Sequence, residues 1–260
     1  MSEPGARRGW RRHFFYRSER TRTTWKLRLG ALGLAAGLLW LGRGWWTEAI
    51  ARSLVCEPSL VASDAILIEN LEPDYLLFER ARQLRRAGMA PRVLVPITLD
   101  RNGRELNDVA QGVAEVMVRI SGVGDVEFVP MRQMEPITLN AARDVREFLE
   151  NQRIRSVIVV TPLFRSRRSA LVYAATLGRG GIAVHCAPVQ GSRGVKNWTA
   201  SWHGIQEVVQ QCVKLLYYRL VVLPHDAVLR SPGRAGQSAR ASPPPGSSGS
   251  PPGAWQVPSS

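Results

Sequence analysis

Five short apolar runs, each followed by a stretch with apolar residues three and four positions apart, set the rhythm of the middle of this chain. The runs are Asp64-Ala65-Ile66-Leu67-Ile68, Arg92-Val93-Leu94-Val95, Val126-Glu127-Phe128-Val129, Ser156 to Val160 and Ile182 to Cys186. They are too short for helices, rich in β-branched residues, and read as buried strands. The intervening stretches 74–88, 105–120, 138–151, 165–177 and 202–222 read as helices. Leu76, Leu77, Ala81 and Leu84 show the spacing in the first of these, and Gly88 suits its C-terminal cap. Thr138 is placed to cap the third. Strands that alternate with helices and are apolar on both faces predict a mainly parallel five-stranded sheet covered on both sides, a Rossmann-like doubly wound α/β fold. Such folds bind ligands beyond the carboxyl ends of the strands, where the strand order reverses. The residues just after each strand are therefore the candidates for function.

The ends of the chain follow other patterns. Leu29 to Gly42 carries no charge, with basic residues before it and Arg43, Trp45 and Trp46 after it. As a helix those residues reach only about 21 Å, but extension over 27–50 gives one N-terminal transmembrane helix if Arg28 and Arg43 turn their charges toward the interface. The basic segment 1–26 would then stay in the cytoplasm and the following domain would lie outside it. A cleaved signal peptide ending at Ala49-Ile50-Ala51 is the alternative, and Arg11-Arg12-His13-Phe14-Phe15 resembles a twin-arginine export motif. Residues 229–260 are rich in Pro, Gly and Ser, cannot bury enough apolar surface to offset ordering, and read as a disordered tail. The α/β domain is assigned to 55–228.

Charge and cysteine content narrow the classes. The 260 residues hold 35 Lys+Arg against 21 Asp+Glu, a formal net charge of +14. Half of that excess sits between Met1 and Arg28, where nine basic residues face Glu3 and Glu19. The folded middle is only mildly basic, which argues against a nucleic-acid partner. Cys56, Cys186 and Cys212 lack metal-site spacing and read as small buried hydrophobes, with no disulfide required. No metal and no cofactor is expected, since GxGxxG, the P-loop, GxSxG and HExxH are all absent from the sequence.

The richest strand end is Thr161-Pro162-Leu163-Phe164-Arg165-Ser166-Arg167-Arg168-Ser169. A helix N-terminus offers free amide groups, and Arg165 and Arg168, three residues apart, can share a face beside the Thr161 hydroxyl. That combination suits a phosphate or carboxylate. Thr138 and Asn140 open another helix after a strand, and Glu69 and Asn70 end the first strand. The expected ligand-binding set is Glu69, Asn70, Thr138, Asn140, Thr161, Arg165 and Arg168; no catalytic residue is assigned. His203 is a further candidate, while Glu105, Asp108 and Glu115 read as a solvated helix face.

The order of these motifs resembles the SanA/ElyC/YdcF-type envelope family, also called domain of unknown function 218. The residues that carry the resemblance are Asp64-Ala65-Ile66, Arg80-Ala81 with Leu84 and Gly88, Glu105, Thr138 with Asn140-Ala141, Val160 to Ser169, Trp198, Glu207, Lys214 and Tyr217-Tyr218. The chain departs from the family where Glu69-Asn70 replaces a glycine pair, Pro162 a serine and Arg165 a histidine. The resemblance implies a membrane-anchored extracytoplasmic protein of peptidoglycan or surface-polysaccharide metabolism. Its partners would be the inner membrane, an anionic envelope precursor such as a phosphorylated lipid-linked sugar, and an envelope protein. An enzyme of this kind would be a hydrolase or transferase acting at that phosphate. Arginine does not give up its proton, so the alternative is a non-catalytic binding or scaffold module that has lost the family's histidine.

Overall fold

Ala65–Ile68 forms strand β1, and all four side chains are buried. Successive residues of a strand point to opposite faces. Ile66 and Ile68 therefore enter one apolar layer, while Ala65 and Leu67 enter the other. β2 (Arg92–Thr98), β3 (Glu127–Met131), β4 (Ser156–Pro162) and β5 (Ala183–Val189) complete one parallel sheet of order β3-β2-β1-β4-β5. The chain runs outward from β1 to β3 and then returns to place β4 beside β1. The strand order thus reverses between β1 and β4. The computed structural model describes residues 25–100, 102–132 and 134–229.

The helices are α1 (Trp25–Leu41), α2 (Arg43–Ser53), α3 (Tyr75–Arg86), α4 (Asp108–Ser121), α5 (Ile137–Asn151), α6 (Ser166–Leu177), α7 (Trp202–Tyr217) and α8 (Leu223–Leu229). Leu77, Phe78, Ala81 and Leu84 of α3, with Ala114 of α4, cover the sheet face that holds Ile66, Ile68, Val95 and Ile158. Leu139, Val145 and Leu149 of α5 cover the opposite face with Val172, Tyr173 and Leu177 of α6. The doubly wound, parallel five-stranded architecture expected from the alternation of runs is the one observed.

The chain divides into two units, residues 1–48 and 49–260. In the first, α1 has 17 residues, about 26 Å of helix, short of a hydrocarbon core of about 30 Å. It stops at Leu41 because Gly42, a weak helix former, turns the chain. The amide groups of Trp45 and Trp46 both donate to the Gly42 carbonyl, and the next helix brings in Arg43, Glu48 and Arg52. Among the described residues no helix is long and apolar enough to cross a membrane. This break overturns the expected transmembrane helix over 27–50. The single-pass inner-membrane placement, the inner-membrane partner and the membrane-anchored envelope function built on that helix fall with it. The expectations for the basic segment up to residue 24 and for the tail from residue 230 lie outside the described residues.

Local differences have local causes. The helix expected from Glu105 starts at Asp108, because the Asn107 side chain caps it by accepting from the Ala110 amide. Leu106 instead forms an antiparallel bridge with Leu99. Thr138 is not a cap: α5 begins at Ile137 after Pro136, with no side-chain cap bond. The last helix does not run unbroken from Trp202 to Val222, since a π turn over Tyr218–Val222 separates α7 from α8. Cys56 and Cys186 form a disulfide with Cα atoms 6.5 Å apart, closing a separation of 130 residues. Their spacing carried no sign of this, because only the fold brings them together. Cys212 is free.

Candidate functional site

The site lies at the reversal between β1 and β4. Ile68 pairs with Val160, so the next residues, Glu69 and Thr161, emerge side by side at the carboxyl end of the sheet. Glu69 is 1% exposed. Its Oε2 accepts hydrogen bonds from the Thr161 hydroxyl and, at 2.6 Å, from the Ser169 hydroxyl. Its Oε1 is buried without a partner. A buried carboxylate needs compensating charge. Two arginines at the start of α6 supply it.

Arg168 is 6% exposed, and its Nη1 donates to the Thr138 hydroxyl at 2.9 Å. Its guanidinium stands 5.3 Å from the centre of the Tyr218 ring, where the aromatic face favours a cation. The Tyr218 hydroxyl accepts from the Thr138 amide at 3.3 Å, which ties α5 and the π turn to the same cation. Arg165, 7% exposed, ends the 3-10 turn Leu163–Arg165 between β4 and α6. Its Nη2 meets Glu72 Oε1 at 2.8 Å. The Nε groups of both arginines are buried and have no hydrogen-bond partner.

Two clefts open beside these groups. One, of about 630 Å³, is lined by Thr138, Arg165, Arg168, Lys214, Tyr217 and Tyr218 among others. The second, of about 620 Å³, is lined by residues that include Arg193, His203, Gln206, Gln210 and Gln211. Arg165 and Glu72 line both. Burial lowers the pKa of Arg168, Glu69 acts against that, and Arg165 adds to it. Burial also lowers the Lys214 ammonium, with further lowering from Arg168 and Arg165. Tyr173, fully buried below, is held well above the ordinary phenol value, by burial first and then by Glu69. Arg165, Arg168 and Lys214 thus converge on one cleft above the buried Glu69, with the exposed Glu72 and Glu135 at its edge, and the two inner cations, Arg168 and Lys214, are the ones an incoming anion would meet. Arg132, also on the cleft wall, is committed to Asp144, to which its Nε donates at 3.0 Å.

The fold brings together Glu69, Thr138, Thr161, Arg165 and Arg168, five of the seven residues expected to form a binding site. Asn140 is occupied elsewhere: its Nδ2 donates to the Met134 carbonyl at 3.1 Å, and its Oδ1 accepts from Arg143 at 2.6 Å. Asn70 lines neither cleft; its backbone N–H donates to the Ile68 carbonyl at 2.8 Å, and its Oδ1 is buried without a partner. The expected cradle of free amide groups at the α6 N-terminus is not there. The Arg167 amide donates to Leu54 at 2.9 Å, and the Ser166 amide donates to Leu163. The site is built from side chains instead. His203 sits exposed on the second cleft. Glu115 is exposed and accepts from Gln111 on its own helix. Among the described residues no group of three or more His, Cys, Asp or Glu is placed to hold a metal ion.

Glu72, Lys214 and Tyr218 were absent from the expected site. Lys214 and Tyr217-Tyr218 entered only through the family resemblance, and nothing in their own spacing marked them as cleft residues. Glu72 is one charge in a Pro-containing connection, and its meaning appears only when Arg165 is seen against it. No family model, no curated protein and no solved structure matches this chain. The resemblance to the SanA/ElyC/YdcF-type family rests on the motif residues alone.

Proposed function

We propose that the α/β domain binds a small molecule through an anionic group, a phosphate or a carboxylate, in the cleft formed by Thr138, Arg165, Arg168, Lys214 and Tyr218. The observation that supports this most directly is the pair of nearly buried guanidiniums that line one cleft together with Lys214, both with Nε groups left unpartnered. A buried donor left unpaired costs roughly 1–3 kcal/mol, more when it carries charge. A protein that needed these arginines only for its core would be more stable with apolar residues of similar volume. An oxyanion in the cleft can accept from two guanidinium nitrogens at once. The Thr138 hydroxyl and the Lys214 ammonium lie on the same wall and can orient the remaining oxygens. Glu69 then serves as a buried counter-charge that holds Arg168 in place, not as a ligand contact.

The test is binding of inorganic phosphate, pyrophosphate and citrate to the full chain, followed by calorimetry and thermal melting. An anion at a hundred times its dissociation constant adds about 2.7 kcal/mol of stability. Arg165→Met and Lys214→Ala are expected to abolish or weaken that gain while the protein still melts cooperatively. Equal stabilisation of the wild type and both variants, or none in any of them, would overturn the reading.

A further inference from the structure

We infer that Glu72 is a displaceable internal anion, which occupies Arg165 until a ligand takes its place and whose departure joins the two clefts into one groove. The inference rests on the anion-binding reading and gives it a control element. The ion pair is lopsided: the Arg165 side chain is 8% exposed and the Glu72 side chain 76% exposed, at 2.8 Å. Arg165 is fixed between β4 and α6 and cannot follow its partner into water. Glu72 can leave readily, because an exposed carboxylate regains hydration as it goes. The backbone beyond it is pinned, since Asp74 Oδ1 accepts from the Leu76 amide at 2.9 Å and starts α3. The motion needed is therefore a side-chain rotation.

Glu72 and Arg165 are the two residues shared by the walls of the 630 Å³ cleft and the 620 Å³ cleft. The pair forms the partition between them. With Glu72 turned outward, an anion on Arg165 has Arg168 and Lys214 on one side and, on the other, a wall that holds Gln206 and Gln210 together with Asp74 and the Arg193–Glu207 pair. A carboxylate attached to the same chain competes at a high effective concentration. It therefore weakens the apparent affinity for every external anion and favours those that carry more than one charge.

The test compares inorganic phosphate binding by titration calorimetry to the full-length wild type, Glu72→Gln and Glu79→Gln. The last removes one negative charge from α3 at a residue that lines neither cleft. Glu72→Gln is expected to bind phosphate about tenfold more tightly than the wild type, with Glu79→Gln unchanged. Binding by Glu72→Gln alone would be the same result in a stronger form. If the wild type binds and both variants match it, the internal-anion role is wrong and the anion site stands. If neither the wild type nor Glu72→Gln binds phosphate, pyrophosphate or citrate, both fail.

Discussion

The two ends of the sheet treat charge differently. At the amino end, the charged groups that join the strand starts are matched by protein. Asp64 Oδ2 accepts from the Arg155 and Ser156 amides at 2.8 and 2.9 Å and from the Ser156 hydroxyl at 3.0 Å, joining the starts of β1 and β4. Arg92 and Glu127 pair in a two-pronged contact, the first prong at 2.7 Å, joining the starts of β2 and β3. At the carboxyl end, Glu69 Oε1 and the Nε groups of Arg165 and Arg168 are buried and unmatched. The amino end uses charge to fix register. The carboxyl end keeps charge buried at a cost in stability, as a binding site would. The same residue types are fully matched in one place and left partly unmatched in the other.

The sharpest way to break this contrast is to remove the buried carboxylate. Glu69→Ala removes the buried counter-charge of Arg168 and the acceptor of the Thr161 and Ser169 hydroxyls, and is expected to cost roughly 3–5 kcal/mol in urea unfolding. A change below about 1 kcal/mol would mean that water, not Glu69, compensates the arginines. Next in size is the disulfide. Cys56→Ser with Cys186→Ser is expected to lower stability by about 2–4 kcal/mol, read as a fall in Tm with phosphate binding retained. Asp64→Ala should cost about 1–2 kcal/mol through its lost hydrogen bonds. The pH dependence carries a sign. Asp64 is held below the ordinary carboxylate value, chiefly by the Arg155 amide, and Glu127 is lowered chiefly by its hydrogen bond from Arg92. Their stabilisation is complete above the unfolded values near pH 4 and is lost as pH falls through the lower folded values. Acid unfolding of Asp64→Ala should therefore show a shallower slope below pH 4 than the wild type. The smallest effect is expected for Arg92→Met, at most about 1 kcal/mol for a half-exposed pair, with anion binding unchanged. Loss of anion binding in Arg92→Met would erase the distinction between the two ends.

Much of this was legible beforehand because it is local. The five strands follow from runs of apolar residues, and the two-faced core from their alternation in β1. Thr161, Arg165 and Arg168 stand out as candidates because a strand end followed by a basic helix start is a short-range signal. What escaped depends on distance in the chain. Thr138 looks like a cap because its neighbours suit one, yet its hydroxyl is taken by Arg168. Asn140 looks like a ligand contact, yet Met134 and Arg143 occupy it. The amide groups of α6 look free, yet Leu54 reaches one of them from over a hundred residues earlier. Composition misled at the N-terminus, where an apolar run with basic flanks looked like a span and Gly42 divides it into two helices.

The disulfide also decides how the protein would respond to being pulled. The segment from Cys56 to Cys186 contains all of β1 to β4 and the first half of β5. Tension applied from the N-terminal side enters at Cys56 and crosses directly to Cys186, so those four strands form a closed ring that carries none of the load. Mechanical unravelling is then confined to the residues outside the ring, and a force-extension trace of the oxidised protein should fall short of the full contour length by the sequence separation of 130 that the disulfide closes.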